Sequence, residues 1–145
     1  MLSLSPLRKE AAHRSEMVSQ LLFGECYEII GRQDNWVLVQ LATDGYQGWL
    51  DQKMHTPVSG SYFQEWKTTT HPRAMDLVQV VSNADDRIPV GIGAYLPFYD
   101  GMSLRINNET YQYSGRASNP AVAASIAQLT KIALGFLKVP YLWGG

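Results

Sequence analysis

The sequence predicts a mainly β fold in which two small barrels are followed by one C-terminal α-helix. Three observations carry this. Up to about residue 116 the chain is rich in Gly, Pro, aromatic and β-branched residues, with short apolar runs cut by turn signals, as in short antiparallel strands. Five such runs fall within residues 2–56, too few to cover a flat sheet on both faces, so curling into a barrel is expected. After residue 118 the apolar spacing changes to that of a helix. Across 145 residues, 46% are hydrophobic and 17% charged, enough apolar content for a core.

In the first unit, Leu2 to Leu7 is a strand candidate, and Arg8 to Glu16 reads as a long exposed loop. Met17 to Phe23 ends at Gly24, and Glu25 to Ile30 ends at Gly31. After the Gln33-Asp34-Asn35 turn, Trp36 to Leu41 alternates as a two-sided strand. Thr43-Asp44-Gly45 forms a hairpin turn, and Tyr46 to Asp51 closes the unit, with Trp49 expected to fill the interior.

The second β section begins near Tyr62. Leu77 to Val81 is an apolar run, Asn83 to Asp86 a turn, and Ile88 to Phe98 a further strand region. Asp100-Gly101 turns into Met102 to Ile106, and Asn107-Asn108 connects this to Glu109–Tyr113. The helix is expected to start with Asn119 as cap and Pro120 as its first residue. Val122, Ile126, Leu129, Ala133 and Phe136 form its apolar stripe, and Pro140 stops it. Such a stripe needs cover, so the helix is expected to fold back on the second unit or to self-associate with another copy. The expected boundaries are 1–57, 58–116 and 117–145.

Several functions are excluded by composition. A net charge of -1 argues against nucleic-acid binding, which needs a basic surface. The single cysteine, Cys26, excludes an internal disulfide, and three scattered histidines argue against a metal site. Ala121 to Leu137 is interrupted by Ser125, Gln128, Thr130 and Lys131, so no membrane span is expected. The first residues lack the pattern of an export signal, so a cytoplasmic location is expected.

Individual residues offer little chemistry on their own. Gly91-Ile92-Gly93 has Leu96 where a dinucleotide fingerprint needs its third glycine, and no helix follows. Cys26 lies between Glu25 and Tyr27 with no cation to stabilise a thiolate, so it reads as structural. His13, His55 and His71 sit in polar or Pro-flanked segments and read as solvated. Tyr46, beside the hairpin turn, suits packing and ligand binding equally, and Glu16 by itself is a solvated charge.

A resemblance adds to this. Leu7-Arg8, the run His13-Arg14-Ser15-Glu16-Met17-Val18-Ser19-Gln20-Leu21-Leu22-Phe23-Gly24-Glu25, then Asn35-Trp36-Val37 and Asp44-Gly45-Tyr46-Gln47-Gly48-Trp49, resemble the bacterial SH3-like (SH3b) domains that precede NlpC-type cell-wall cysteine peptidases. Phe136 to Gly145, with Pro140-Tyr141-Leu142-Trp143-Gly144-Gly145, resembles the opening of that peptidase domain, just before its catalytic helix. The two barrels are then SH3-like. The resemblance implies a γ-D-glutamyl-L-diamino acid endopeptidase acting on peptidoglycan stem peptides, with a nucleophilic cysteine in an Asp-Cys-Ser-Gly motif and a histidine base. The 145 residues contain no such motif and no histidine after Pro120, and Cys26 does not match it. No catalytic residue, metal or cofactor is therefore assigned, and the chain alone is expected to be inactive. The resemblance implies four substrate-binding residues: Glu16 and Tyr46 for the free N-terminal amine of an L-Ala-headed stem peptide, and Tyr141 and Trp143 near the scissile bond. The alternatives are a standalone peptidoglycan-binding module and a protein-interaction domain.

Overall fold

A computed structural model describes residues 2–144. The chain forms two antiparallel sheets. The first holds β1 (Leu4–Arg8), β2 (Met17–Leu22), β3 (Tyr27–Gln33), β4 (Trp36–Leu41) and β5 (Gln47–Asp51) in the order β2-β1-β5-β4-β3. After a single 3-10 turn and helix α1 (Gly60–Thr68), the second holds β6 (Val78–Ser82), β7 (Arg87–Gly91), β8 (Ser103–Ile106) and β9 (Glu109–Tyr113) in the order β7-β6-β9-β8. Helix α2 (Ile126–Gly135) follows.

The mainly β expectation holds, but neither sheet closes hydrogen-bond by hydrogen-bond into a barrel. In the first, β2 and β3 are the two edges, and no ladder joins them among the described residues. Two bulges interrupt its ladders. The β1–β2 register shifts at Leu7/Arg8, and the β3–β4 register shifts between Ile29 and Gly31. Gly31, expected to end a strand, sits inside β3, where a side chain would meet Leu38 Cβ at 3.3 Å.

Alternation places Val37, Val39 and Leu41 of β4 inward with Leu7, Leu21 and Leu50 as the first core. Period two then turns Trp49 out of that core, contrary to expectation, since Leu50 beside it is fully buried.

The second core gathers Tyr62 and Trp66 of α1 with Val81, Val90, Leu104 and Tyr113 of the second sheet. Phe23 and Cys26, between β2 and β3, belong to this second core, so the two units share apolar packing. The join is tight at Gly24, where φ is +75° and an added Cβ would lie 2.5 Å from the Tyr95 carbonyl oxygen. Only glycine meets both conditions. The Tyr95 N–H donates to the Phe23 carbonyl at 2.9 Å across the same join.

Three expectations are corrected here. A second helix, α1, lies where β structure was expected. Ser59 caps it by accepting from the Tyr62 N–H at 3.1 Å, and Tyr62 and Trp66, four apart, bury one face. The region Ile88 to Phe98 is a strand only to Gly91. Beyond it, among the described residues, Tyr95 makes a single isolated bridge with Arg73. The terminal helix starts at Ile126 rather than Pro120. Asn119 Oδ1 accepts from the Ala121 N–H in a local turn, while Ser125 and Gln128 form a reciprocal capping box that nucleates the helix six residues later. Val122 is therefore outside the helical stripe.

No residue of α2 is buried. The helix lies beside the second unit, where Gln128, Lys131, Ile132 and Gly135 line a cleft with Met75, Leu77, Ile92 and Arg116. Ile126, Leu129 and Leu134 stay exposed. None of the helices among the described residues is long and apolar enough to cross a membrane.

Candidate functional site

The hairpin loop between β4 and β5 is built around Gly45, whose φ of +75° needs a residue without a side-chain penalty. Asp44 Oδ1 accepts from the Tyr46 N–H at 2.9 Å, which fixes where the tyrosine leaves the turn. The Tyr46 hydroxyl then donates to the Val18 carbonyl on β2 at 3.3 Å.

Glu16 closes the loop between β1 and β2. That loop is exposed, as expected, but it is tied internally. The Lys9 N–H donates to the Glu16 carbonyl at 3.0 Å, the Glu10 N–H to Ser15 Oγ at 2.9 Å, and Arg8 Nη1 to the Ser15 carbonyl at 3.1 Å. These bonds deliver the Glu16 side chain to the start of β2, on the same side as Tyr46.

The segment after α2 completes the site. Trp143 Nε1–H donates to Glu16 Oε1 at 2.7 Å, joining positions 127 residues apart. The next residue, Gly144, has φ +72° and approaches the β2 backbone so closely that a Cβ would fall 1.9 Å from the Met17 carbonyl oxygen. Glycine is the one residue this crossing tolerates. The result is a cleft of about 270 Å³ lined by Glu16, Val18, Tyr46, Tyr141, Trp143 and Gly144. All four residues singled out from the sequence thus line one cleft.

The cleft sets a carboxylate among aromatic walls, a combination chemically suited to a cation. It presents one carboxylate, two phenols and an indole. The Tyr46 proton is directed to the Val18 carbonyl, which leaves the phenol oxygen as an acceptor in the cleft. An ammonium group, which only donates, matches a carboxylate beside a phenol acceptor. Val18, Gly144 and the Glu16 partner Lys9 were not singled out from the sequence. Positive φ at Gly144 and a backbone pair across a loop leave no mark in a single sequence.

The other candidates lie elsewhere. Cys26 is buried in the second core, and burial, with Glu25 adding to it, pushes its thiol up to about 12. Such a thiol packs rather than attacks. His13 is exposed, packs against Trp36 with ring centroids 4.9 Å apart, and reaches Asp51 Oδ2 at 3.7 Å. His55 Nδ1 pairs with the Tyr27 hydroxyl at 2.9 Å. His71 corrects the expectation of a solvated ring: it is buried, with Nε2 on the Trp66 carbonyl at 3.1 Å and Nδ1 accepting from the Phe98 N–H at 3.2 Å. Among the described residues no group of three or more His, Cys, Asp or Glu side chains is placed to hold a metal ion.

Residues 7–53 match the family model of the bacterial dipeptidyl-peptidase SH3 domain, a segment that contains Glu16 and Tyr46. Among solved structures, the fold is similar to that of an NlpC/P60 family protein from Bacillus cereus. The TM-score is 0.69 at 18% identity, over 89% of this chain and 49% of the other. The chain therefore spans about half the length of the solved structure it matches. No curated protein is significantly similar to it in sequence. The two findings agree with part of the resemblance read from the sequence: a bacterial SH3-type unit over residues 7–53, within a fold similar to that of an NlpC/P60 family protein.

Proposed function

We propose that the chain is the substrate-recognition part of a γ-D-glutamyl-L-diamino acid cysteine endopeptidase, reading peptidoglycan stem peptides that carry a free N-terminal L-Ala. The observation that carries this reading is the convergence of Glu16, Tyr46, Tyr141 and Trp143 on one cleft. The Glu16 carboxylate supplies countercharge to the peptide's ammonium, and the Tyr46 oxygen accepts one of its protons. Tyr141 and Trp143 give the following residues an aromatic wall. The SH3-type match over residues 7–53 supports the reading, because it covers both polar members of the cleft.

Recognition and cutting are separate in this proposal. No Asp-Cys-Ser-Gly motif occurs in the 145 residues, and the one thiol is packed in a core. The chain binds and does not hydrolyse.

Calorimetry with L-Ala-γ-D-Glu-diaminopimelate tests this directly. The free-amine peptide is expected to bind and its N-acetylated form to bind at least about tenfold more weakly, the scale of a lost charge-assisted hydrogen bond. Glu16→Gln should lose a similar factor toward the free amine. Equal binding of free and acetylated peptides, or turnover that depends on Cys26, would overturn the proposal.

A further inference from the structure

The Glu16 carboxylate is occupied on both sides before any ligand arrives. Oε1 accepts the Trp143 indole N–H at 2.7 Å, and Oε2 stands 3.5 Å from Lys9 Nζ. The second contact follows from the backbone, because Lys9 and Glu16 are hydrogen-bonded across the base of their loop and their side chains leave from adjacent points. The two partners differ in kind. The indole N–H is neutral and belongs to the cleft wall. Lys9 offers a primary ammonium on a carbon chain, the same group that the proposed ligand presents, and its side chain is 65% exposed and able to swing into water.

We infer that Lys9 is an internal competitor for the ligand's ammonium and sets the affinity and charge selectivity of the site. The inference rests on the amine-recognition reading above. An arriving ammonium takes Oε2 as Lys9 moves aside, while the Trp143 N–H keeps the carboxylate oriented through Oε1. A neutral donor gains too little from Glu16 to displace an ion pair, so Lys9 rejects uncharged chain ends. The cost is a reduced affinity for the cationic ligand, since Lys9 remains a like charge beside it.

The test is calorimetry of the full chain and its Lys9→Met and Glu16→Gln variants, with L-Ala-γ-D-Glu as the free amine and as its N-acetyl form. Lys9→Met keeps the backbone bond and most of the side-chain stem. At low ionic strength it should bind the free amine about fivefold more tightly than the parent, the Coulomb scale for unit charges about 4 Å apart in water. At about 1 M salt, where screening acts over about 3 Å, the gain should shrink toward unity. Equal or weaker binding by Lys9→Met at low salt, together with loss in Glu16→Gln, would overturn the role of Lys9 and leave the amine reading standing. Unchanged binding in Glu16→Gln would overturn both.

Discussion

Val37, Val39 and Leu50 in the first unit and Val81 and Val90 in the second are fully sealed from solvent, whereas α2 buries no residue. The sheets owe their order to apolar burial between strands distant in sequence. The terminal helix has a capping box at Ser125 and borders the second unit across the cleft it lines with Leu77 and Ile92. The cleft joins both regimes. Glu16 and Tyr46 are fixed by the hydrogen bonds of a packed unit, while Tyr141 and Trp143 come from a segment anchored chiefly through Glu16 and the close crossing at Gly144. One wall is built, and the other is docked onto it. The cleft therefore depends on a docked segment as well as on a packed sheet.

The contrast is broken or sharpened by three measurements. The largest effect should come from cavity formation. Leu50→Ala is expected to cost about 2–5 kcal/mol in urea unfolding, while Leu129→Ala, at an exposed helix position, should stay within about 0.5 kcal/mol. Comparable losses at the two sites would mean that α2 is packed as tightly as the sheets.

Next is the pH dependence of the second core. Neutral His71, with its proton on Nε2, satisfies the Trp66 carbonyl and the Phe98 N–H at once. Protonation turns Nδ1 into a donor and leaves the Phe98 N–H without its acceptor. Burial is the largest influence and holds His71 below the ordinary histidine value of 6.5, against the raising effects of the Trp66 hydrogen bond and Glu65. The unfolded chain then takes up the proton first. This contribution to stability is complete above about pH 6.5 and is lost as pH falls from there toward the folded value. His55, lowered by burial and Arg32, acts in the same sense. Urea midpoints at pH 7.5 and 5 should therefore differ less in His71→Gln than in the parent. An unchanged difference would remove His71 as a source.

The smallest global effect, but the most local, belongs to Ser125→Ala. Loss of the capping box should cost α2 about 1 kcal/mol. Amide exchange should rise across Ile126–Gly135 and spread to Trp143, while Val37 to Leu41 stays protected. Uniform exchange changes through the molecule would join α2 to the sheets as one cooperative unit.

Legibility in the sequence followed the same divide. The β4 alternation, the Asp44-Gly45 turn and the Asn107-Asn108 connection are local signals and were readable. Helix α1 was hidden because Ser59-Gly60-Ser61 has the composition of a linker, while Tyr62, Phe63 and Trp66 carry strand propensity. Their helical spacing was the one clue. The start of α2 was misplaced because Asn119-Pro120 and Ser125-to-Gln128 are both valid caps, and local chemistry alone does not rank them. Trp49, expected to fill the interior, lies on the face of β5 opposite the buried Leu50, a distinction that only the register decides.

Composition, period and turn chemistry by themselves determined that this chain is mainly β, where most strands lie and that a helix follows them, because each of these signals acts between residues a few positions apart. Tertiary structure alone decided that Phe23 and Cys26 serve the second core, that His71 is sealed inside, and that Lys9, Glu16, Tyr46 and Trp143 meet. Those outcomes depend on which distant surfaces exclude water together, and no spacing along the chain encodes that.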